Sequence, residues 1–174
     1  MMLDVAVAEV LDNWVTATLK RDAGAFADLF LRGEPHPIAV WSTGETSVGW
    51  TAIRDHAARD FSRGDLGITK VEIFDETQVT LADDAVNVVF RYEMVVRDVW
   101  GTETLLQRHA TFGLKRMPYG VYRISTRGVF PMSAATPVRA TGVRRLAGGK
   151  NFHSHRDLRP APRNRLERAR GSGP

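Results

Sequence analysis

Apolar residues recur at helical spacing from the start of the chain. Leu3, Val7, Val10, Leu11 and Trp14 form one stripe over residues 3–20, and Asp4, Glu9 and Asp12 fall largely off it, which predicts an amphipathic helix. Asp22 is placed to cap a second helix with Phe26, Leu29 and Phe30 on its apolar face. His36 and Pro37 break the pattern, and PIAVW predicts a short strand. After the polar turn TGETS, the segment GWTAIRDHAARDF puts Trp50, Ile53, Ala57 and Phe61 on one stripe, a third helix. From Gly67 the period changes to two. Four strands follow at about 68–81, 86–98, 103–116 and 121–130, separated by ADDA, WGT and MPYG. Such short turns argue for antiparallel neighbours.

Three helices, a short strand and a long meander predict an α+β domain, because the sheet must bury one face on the helices that precede it. No internal repeat is visible, and the folded unit is expected over residues 1–131.

Charge divides the chain. The net charge is +4, but residues 132–174 hold ten basic and two acidic residues, so residues 1–131 are net −4. The C-terminal segment is rich in Arg, Pro and Gly without a sustained apolar period, and is expected to be a flexible tail with at most weak, non-specific attraction for polyanions. No apolar run approaches the roughly 18–20 residues that cross a bilayer. The first residues lack a basic and an apolar leader region, so a cytoplasmic protein is expected, with no membrane partner. The absence of cysteine excludes disulfides and thiolate chemistry. The histidines form no HExxH, and the HSH at 153–155 is a weak metal signal alone, so neither metal nor cofactor is expected.

The order of elements, together with VWSTGETSVGWTAI at 40–53 and LKRMPYGVYRIS at 114–125, resembles the SnoaL-like branch of the nuclear-transport-factor-2-like superfamily. The resemblance covers nearly all of residues 3–131 and implies a cone-shaped, half-open barrel. Many relatives end the last strand with Trp-x-Ile-x-His-x-His, where this chain has Tyr122, Ile124, Thr126 and Gly128, so any role of those histidines is absent. The superfamily includes ketosteroid isomerase, polyketide cyclases, a dehydratase, an epoxide hydrolase and non-enzymatic association domains, and fold cannot choose among them. The TGETSVGW turn lacks the GK[ST] of a phosphate loop, and is expected to cross the barrel mouth and seat Trp50 against the interior.

The second long strand, NVVFRYEMVVR, has an apolar face of Phe90, Tyr92, Met94 and Val96 and a mixed face of Val89, Arg91, Glu93 and Val95. On pattern alone the apolar face goes inward. The resemblance implies the reverse, a partly polar concave face and an apolar convex one that pairs in a homodimer. A three-residue WGT turn sets Glu93 opposite His109 and Arg91 opposite Thr111, whereas a two-residue turn sets Glu93 opposite Arg108. In the first register, and with a five-residue closing loop, one face gathers Arg91, Glu93, His109, Thr111, Ser125 and Arg127. Glu93 would then orient His109 as a general base, Arg91 and Arg127 would stabilise an oxyanion, and Thr111 and Ser125 would contact substrate. Trp14, Trp41, Trp50 and Phe61 would line the cone and take a flat or cyclic hydrophobic or aromatic molecule. His56, beside Arg54 and Asp55, is expected on the solvated surface. These features point to a cofactor-independent acid–base enzyme of cyclase, isomerase or dehydratase type acting on a cyclic or polyketide-like substrate. The alternative is a non-catalytic ligand-binding or association domain on the same cone.

Overall fold

The structure is a computed structural model that describes residues 2–64 and 66–132, and the backbone of 136–137. The basic segment expected as a tail lies, beyond Pro137, outside the described residues.

Helix α1 (Val5–Lys20) begins where the Asp4 carboxylate accepts the Ala6 N–H at 2.8 Å, and it ends at Arg21 in the left-handed region with φ 52°. It buries Val7, Val10, Leu11 and Trp14 of the stripe read from the sequence, with Ala17 and Thr18 one turn further, while Leu3 ahead of the helix is half-buried. Helix α2 (Ala23–Ala27) is capped by Asp22 as expected but is only one turn long. Leu29 and Leu31 instead hydrogen-bond with the backbone of Ile124, tying the chain to the last long strand. Helix α3 (Trp50–Phe61) buries Ile53, His56 and Ala57.

The strands are β1 (Ile38–Val40), β2 (Thr46–Val48), β3 (Leu66–Ala82), β4 (Ala85–Asp98), β5 (Glu103–Arg116), β6 (Tyr122–Pro131) and β7 (Thr136–Pro137). They form one unclosed sheet in the order β2-β1-β6-β5-β4-β3, with β7 on the start of β5. Among the named strands β1 and β6 run parallel and the other pairs antiparallel, and an isolated parallel bridge joins Phe30 to Ile124. The four-strand meander matches the alternation. The TGETS turn closes a hairpin onto β2, a strand too short to show a period.

The sheet turns its apolar face to the helices. Val86, Val88, Phe90, Tyr92, Phe112, Leu114 and Ile124 are buried, and Trp14 meets Phe90, Tyr92 and Phe112 edge-on at centroid separations of 5.7, 5.0 and 5.6 Å. Each such ring removes roughly 150–250 Å² from water, a gain that a face of Arg91 and Glu93 cannot match. The reversed orientation is therefore not adopted, and the apolar convex face on which a homodimer was argued does not exist.

The β4–β5 register also differs from both expected ones. The last pair of the ladder is Arg97–Glu103, and in the connection between them the Asp98 carboxylate accepts the N–H groups of Trp100 and Thr102, each at 2.9 Å, while Gly101 takes φ +81°. Glu93 consequently pairs with Gln107 and Arg91 with His109.

A second irregularity matters more. Between the pairs Gly113–Thr126 and Leu114–Ile124, strand β6 carries one extra residue, Ser125. A bulge reverses the parity of every residue beyond it. Ile124 points inward on one side of the bulge, and Arg127 and Val129 point inward on the other.

Candidate functional site

Helices α1 and α3 and the concave face of β3–β6 enclose a cavity of about 200 Å³, whose wall includes Trp14, Phe26, Trp41, Phe61 and Tyr92. Into it the bulge turns Arg127, which is 6% exposed. Its guanidinium lies 4.8 Å from the Trp41 ring centroid and 5.4 Å from that of Phe26. Its Nε and Nη1 are buried and have no hydrogen-bond partner, and it makes no ion pair among the described residues. Burial pushes its pKa down, and Tyr92 and Asp60 partly offset this. Burial pushes the Tyr92 pKa up, with Arg127 and Arg108 opposing, so Tyr92 stands in the wall as a neutral phenol.

Trp41 is fixed by its Nε1–H donating to Ser47 Oγ at 2.9 Å and by His56, which stacks on it at 3.9 Å and 12°. His56 is thus buried, 5% exposed, and the expected surface position is corrected. The aromatic face of Trp41 draws it out of water. Its Nδ1 lies 3.3 Å from Arg59 Nη2, which can only donate, so the ring proton of neutral His56 sits on Nε2. That nitrogen is 3.5 Å from the Asp60 carboxylate and 3.9 Å from that of Glu45. Asp60, one turn further along α3, lines the cavity and is half exposed.

Of the residues singled out in the sequence, Trp14, Trp41, Phe61 and Arg127 meet in this cavity. Glu93, His109, Arg91, Thr111 and Ser125 do not. Arg91 is paired with Asp75 on the outer face, Glu93 accepts Gln107 Nε2–H at 2.8 Å, and His109 is exposed opposite Arg91. Thr111 follows the outward parity of β5, and the Ser125 hydroxyl donates to Gly113 O at 2.9 Å, holding the bulge. The expected Glu93–His109 base pair is not formed. Trp50 also stays out of the cavity, where its Nε1–H donates to Ala27 O at 2.8 Å and Arg32 covers its ring at 4.2 Å.

Asp60, Arg21 and Arg63 of the wall had no place in the expected site, Tyr92 was expected only on the apolar face of its strand and Arg108 only as a residue opposite Glu93. Arg108 did leave a signal, as a charge between Leu106 and Ala110 on the apolar parity of β5. Among the described residues no cluster of three or more His, Asp or Glu could hold a metal, and no helix is long and apolar enough to cross a membrane.

No family model and no curated protein matches the chain. Solved structures do. A ketosteroid isomerase-like protein from Erwinia carotovora atroseptica is similar at TM-score 0.63 and 14% identity, over 74% of this chain and 95% of that one. A hexachlorocyclohexane dehydrochlorinase, LinA-type3 from Novosphingobium barchaimii, matches at TM-score 0.63 and 15% identity, over 78% and 89%. A protein from Xanthomonas campestris of the calcium/calmodulin-dependent protein kinase II association-domain type matches at 0.62 and 20%, over 74% and 86%. Helices packed on a curved, unclosed and mostly antiparallel sheet, shared with these proteins over about three-quarters of the chain, give this protein the nuclear-transport-factor-2-like fold.

Proposed function

We propose that the cone is the active site of a cofactor-independent acid–base enzyme, of isomerase, cyclase or lyase type, acting on a cyclic or polyketide-like small molecule. The observation that carries this reading is the buried, unpartnered Arg127 in an aromatic cavity that has the carboxylate of Asp60 on its wall. A substrate carbonyl directed at Arg127 would be polarised, and negative charge developing on its oxygen would meet fixed N–H donors in a site of low dielectric. The Tyr92 hydroxyl supplies a further neutral donor. Asp60, with His56 behind it on α3, is the residue placed to take a proton from the carbon beside that carbonyl. The residues of the cone lie within 1–131, the expected catalytic unit, ahead of the basic segment.

Solvent exchange tests this. Neutral cyclic ketones such as 2-tetralone and cyclohexanone, incubated in D₂O with the protein, should lose their α-proton NMR signals faster than in buffer. Asp60→Asn should slow that exchange by roughly 10²- to 10⁴-fold. Exchange no faster than in buffer, together with saturable binding of the same ketones, would replace this reading with the non-catalytic ligand-binding domain.

A further inference from the structure

The polar groups of the cone are unbalanced in one direction. Every buried side-chain polar atom left without a partner among the described residues is an N–H donor, namely Trp14 Nε1 and Arg127 Nε and Nη1, and both residues line the same cavity. The charges are unbalanced the same way, with Arg21, Arg63, Arg108 and Arg127 on the wall against Asp60 alone. Arg21 is partly committed, since its Nη1 donates to Leu66 O at 2.6 Å, but that bond leaves its charge uncompensated. Residues 1–131 carry a net charge of −4, so this cationic wall runs against the charge of the domain around it.

A purely structural arginine would be expected to spend its donors on a carboxylate or backbone carbonyls. Among the described residues the Arg127 Nε and Nη1 meet neither, and its charge is compensated by the faces of Trp41 and Phe26 and, through space, by Asp60 and Tyr92. Unmade hydrogen bonds of a buried charge are costly in the free protein and become available, already positioned, to a ligand that supplies the acceptor. An acceptor that is itself anionic gains most, because hydrogen bonds between charged partners are about twice as strong as neutral ones.

We infer that the ligand of the cone is an anion: a small, flat ring system bearing a carboxylate or an acidic enol, with its oxygens on Arg127 and its ring against Trp41 and Phe61. This rests on the reading of the cone as the substrate site and narrows it to acidic ring compounds. Asp60 is consistent with it. Its side chain is half exposed, so its repulsion of a ligand anion is screened by solvent, whereas the attraction of Arg127 is not.

The test compares 2-naphthoate with its neutral isostere 2-naphthamide, with binding followed by quenching of tryptophan fluorescence. The full chain should bind the naphthoate at least about 10-fold more tightly, the scale of one charged hydrogen bond. That preference should persist in 0.5 M salt, because a buried guanidinium is poorly screened. In Arg127→Met the naphthoate should lose at least about 10-fold more affinity than the naphthamide, so that the preference disappears. A preference that vanishes with salt, or that survives in Arg127→Met, would assign it to the diffuse field of Arg21, Arg63 and Arg108 and overturn the role of Arg127. Should the variant fail to fold, the salt titration of the unmodified protein still decides between these. Naphthamide binding as tightly as naphthoate, or no binding of either at millimolar concentration, overturns the anionic class. Ketone exchange dependent on Asp60 alongside either result would leave the cone as an enzyme site for neutral substrates.

Discussion

Replacing Arg127 with Met should make the free protein more stable. Arg127 is 6% exposed and, among the described residues, has two N–H groups without a partner and makes no ion pair, so folding carries a desolvation cost of several kcal/mol for this cation. Against that cost stand two cation–π contacts, at 4.8 and 5.4 Å, worth about 0.5–2 kcal/mol each. Met keeps most of the stem volume and can pack on Trp41 and Phe26. Substitution of buried ionic groups by apolar ones of similar size is commonly neutral to stabilising by about 1–4 kcal/mol. The expected net here is a gain of about 1–3 kcal/mol, which for a domain of this size raises the thermal midpoint by about 3–9 °C. Thermal melts, with urea titrations to confirm an unchanged slope, measure it. In 2-naphthoate the order should narrow or invert, since the ligand stabilises only the protein that binds it. A loss of more than about 1 kcal/mol in the free protein would show that Arg127 is a structural keystone, and the reasoning from its unpartnered donors would fail.

Other outcomes follow from the same geometry. Glu93→Gln and His109→Ala, both on the outer face, should each change stability by less than about 0.5 kcal/mol and leave naphthoate affinity unchanged; a 10-fold loss of affinity in either would put that face back into the site. Gly113→Ala should cost about 1–3 kcal/mol in urea titrations and weaken naphthoate binding, because an added Cβ would run into the Thr126 hydroxyl and disturb the bulge that turns Arg127 inward. Tyr92 ionises above the ordinary 10.0 in the folded protein. As pH rises past 10.0 the unfolded chain loses that proton first, so the Tyr92 contribution, complete below 10.0, is lost as pH climbs toward the folded pKa. Arg127, with its pKa lowered by burial from the usual arginine range, contributes the opposite slope. Tyr92→Phe should therefore lose stability less steeply above pH 10 than the unmodified protein, as read from urea midpoints, and an equal slope in both would mean that Tyr92 is not held neutral.

The fold was legible in the sequence because long amphipathic periods report it. The α1 stripe, the Asp22 cap and the alternation of β4 and β5 all appear in the structure, and β4 takes the orientation its pattern alone favours. The departures come where one residue decides. Asp98 draws Thr102 into the β4–β5 loop and shifts the ladder, and Ser125 adds a residue to β6 and reverses the parity beyond it. Neither event has a periodic signature. Arg127, grouped with Glu93 and His109 by counting in twos, therefore lies on the opposite face from them. His56 was misplaced for another reason: its neighbours Arg54 and Asp55 are charged, but burial on a helix follows the three-to-four-residue spacing, and His56 falls beside Ile53 and Ala57.

The central claim is that the cone receives an acidic ring compound on Arg127. A crystal structure of the protein with bound 2-naphthoate tests it most directly. The account predicts the ring between the walls formed by Trp41 and Phe61, with carboxylate oxygens within hydrogen-bond distance, about 2.7–2.9 Å, of the Arg127 guanidinium. Naphthoate bound on the outer face beside Arg91 and His109, or seated in the cone with its carboxylate turned away from Arg127 toward solvent, would contradict it.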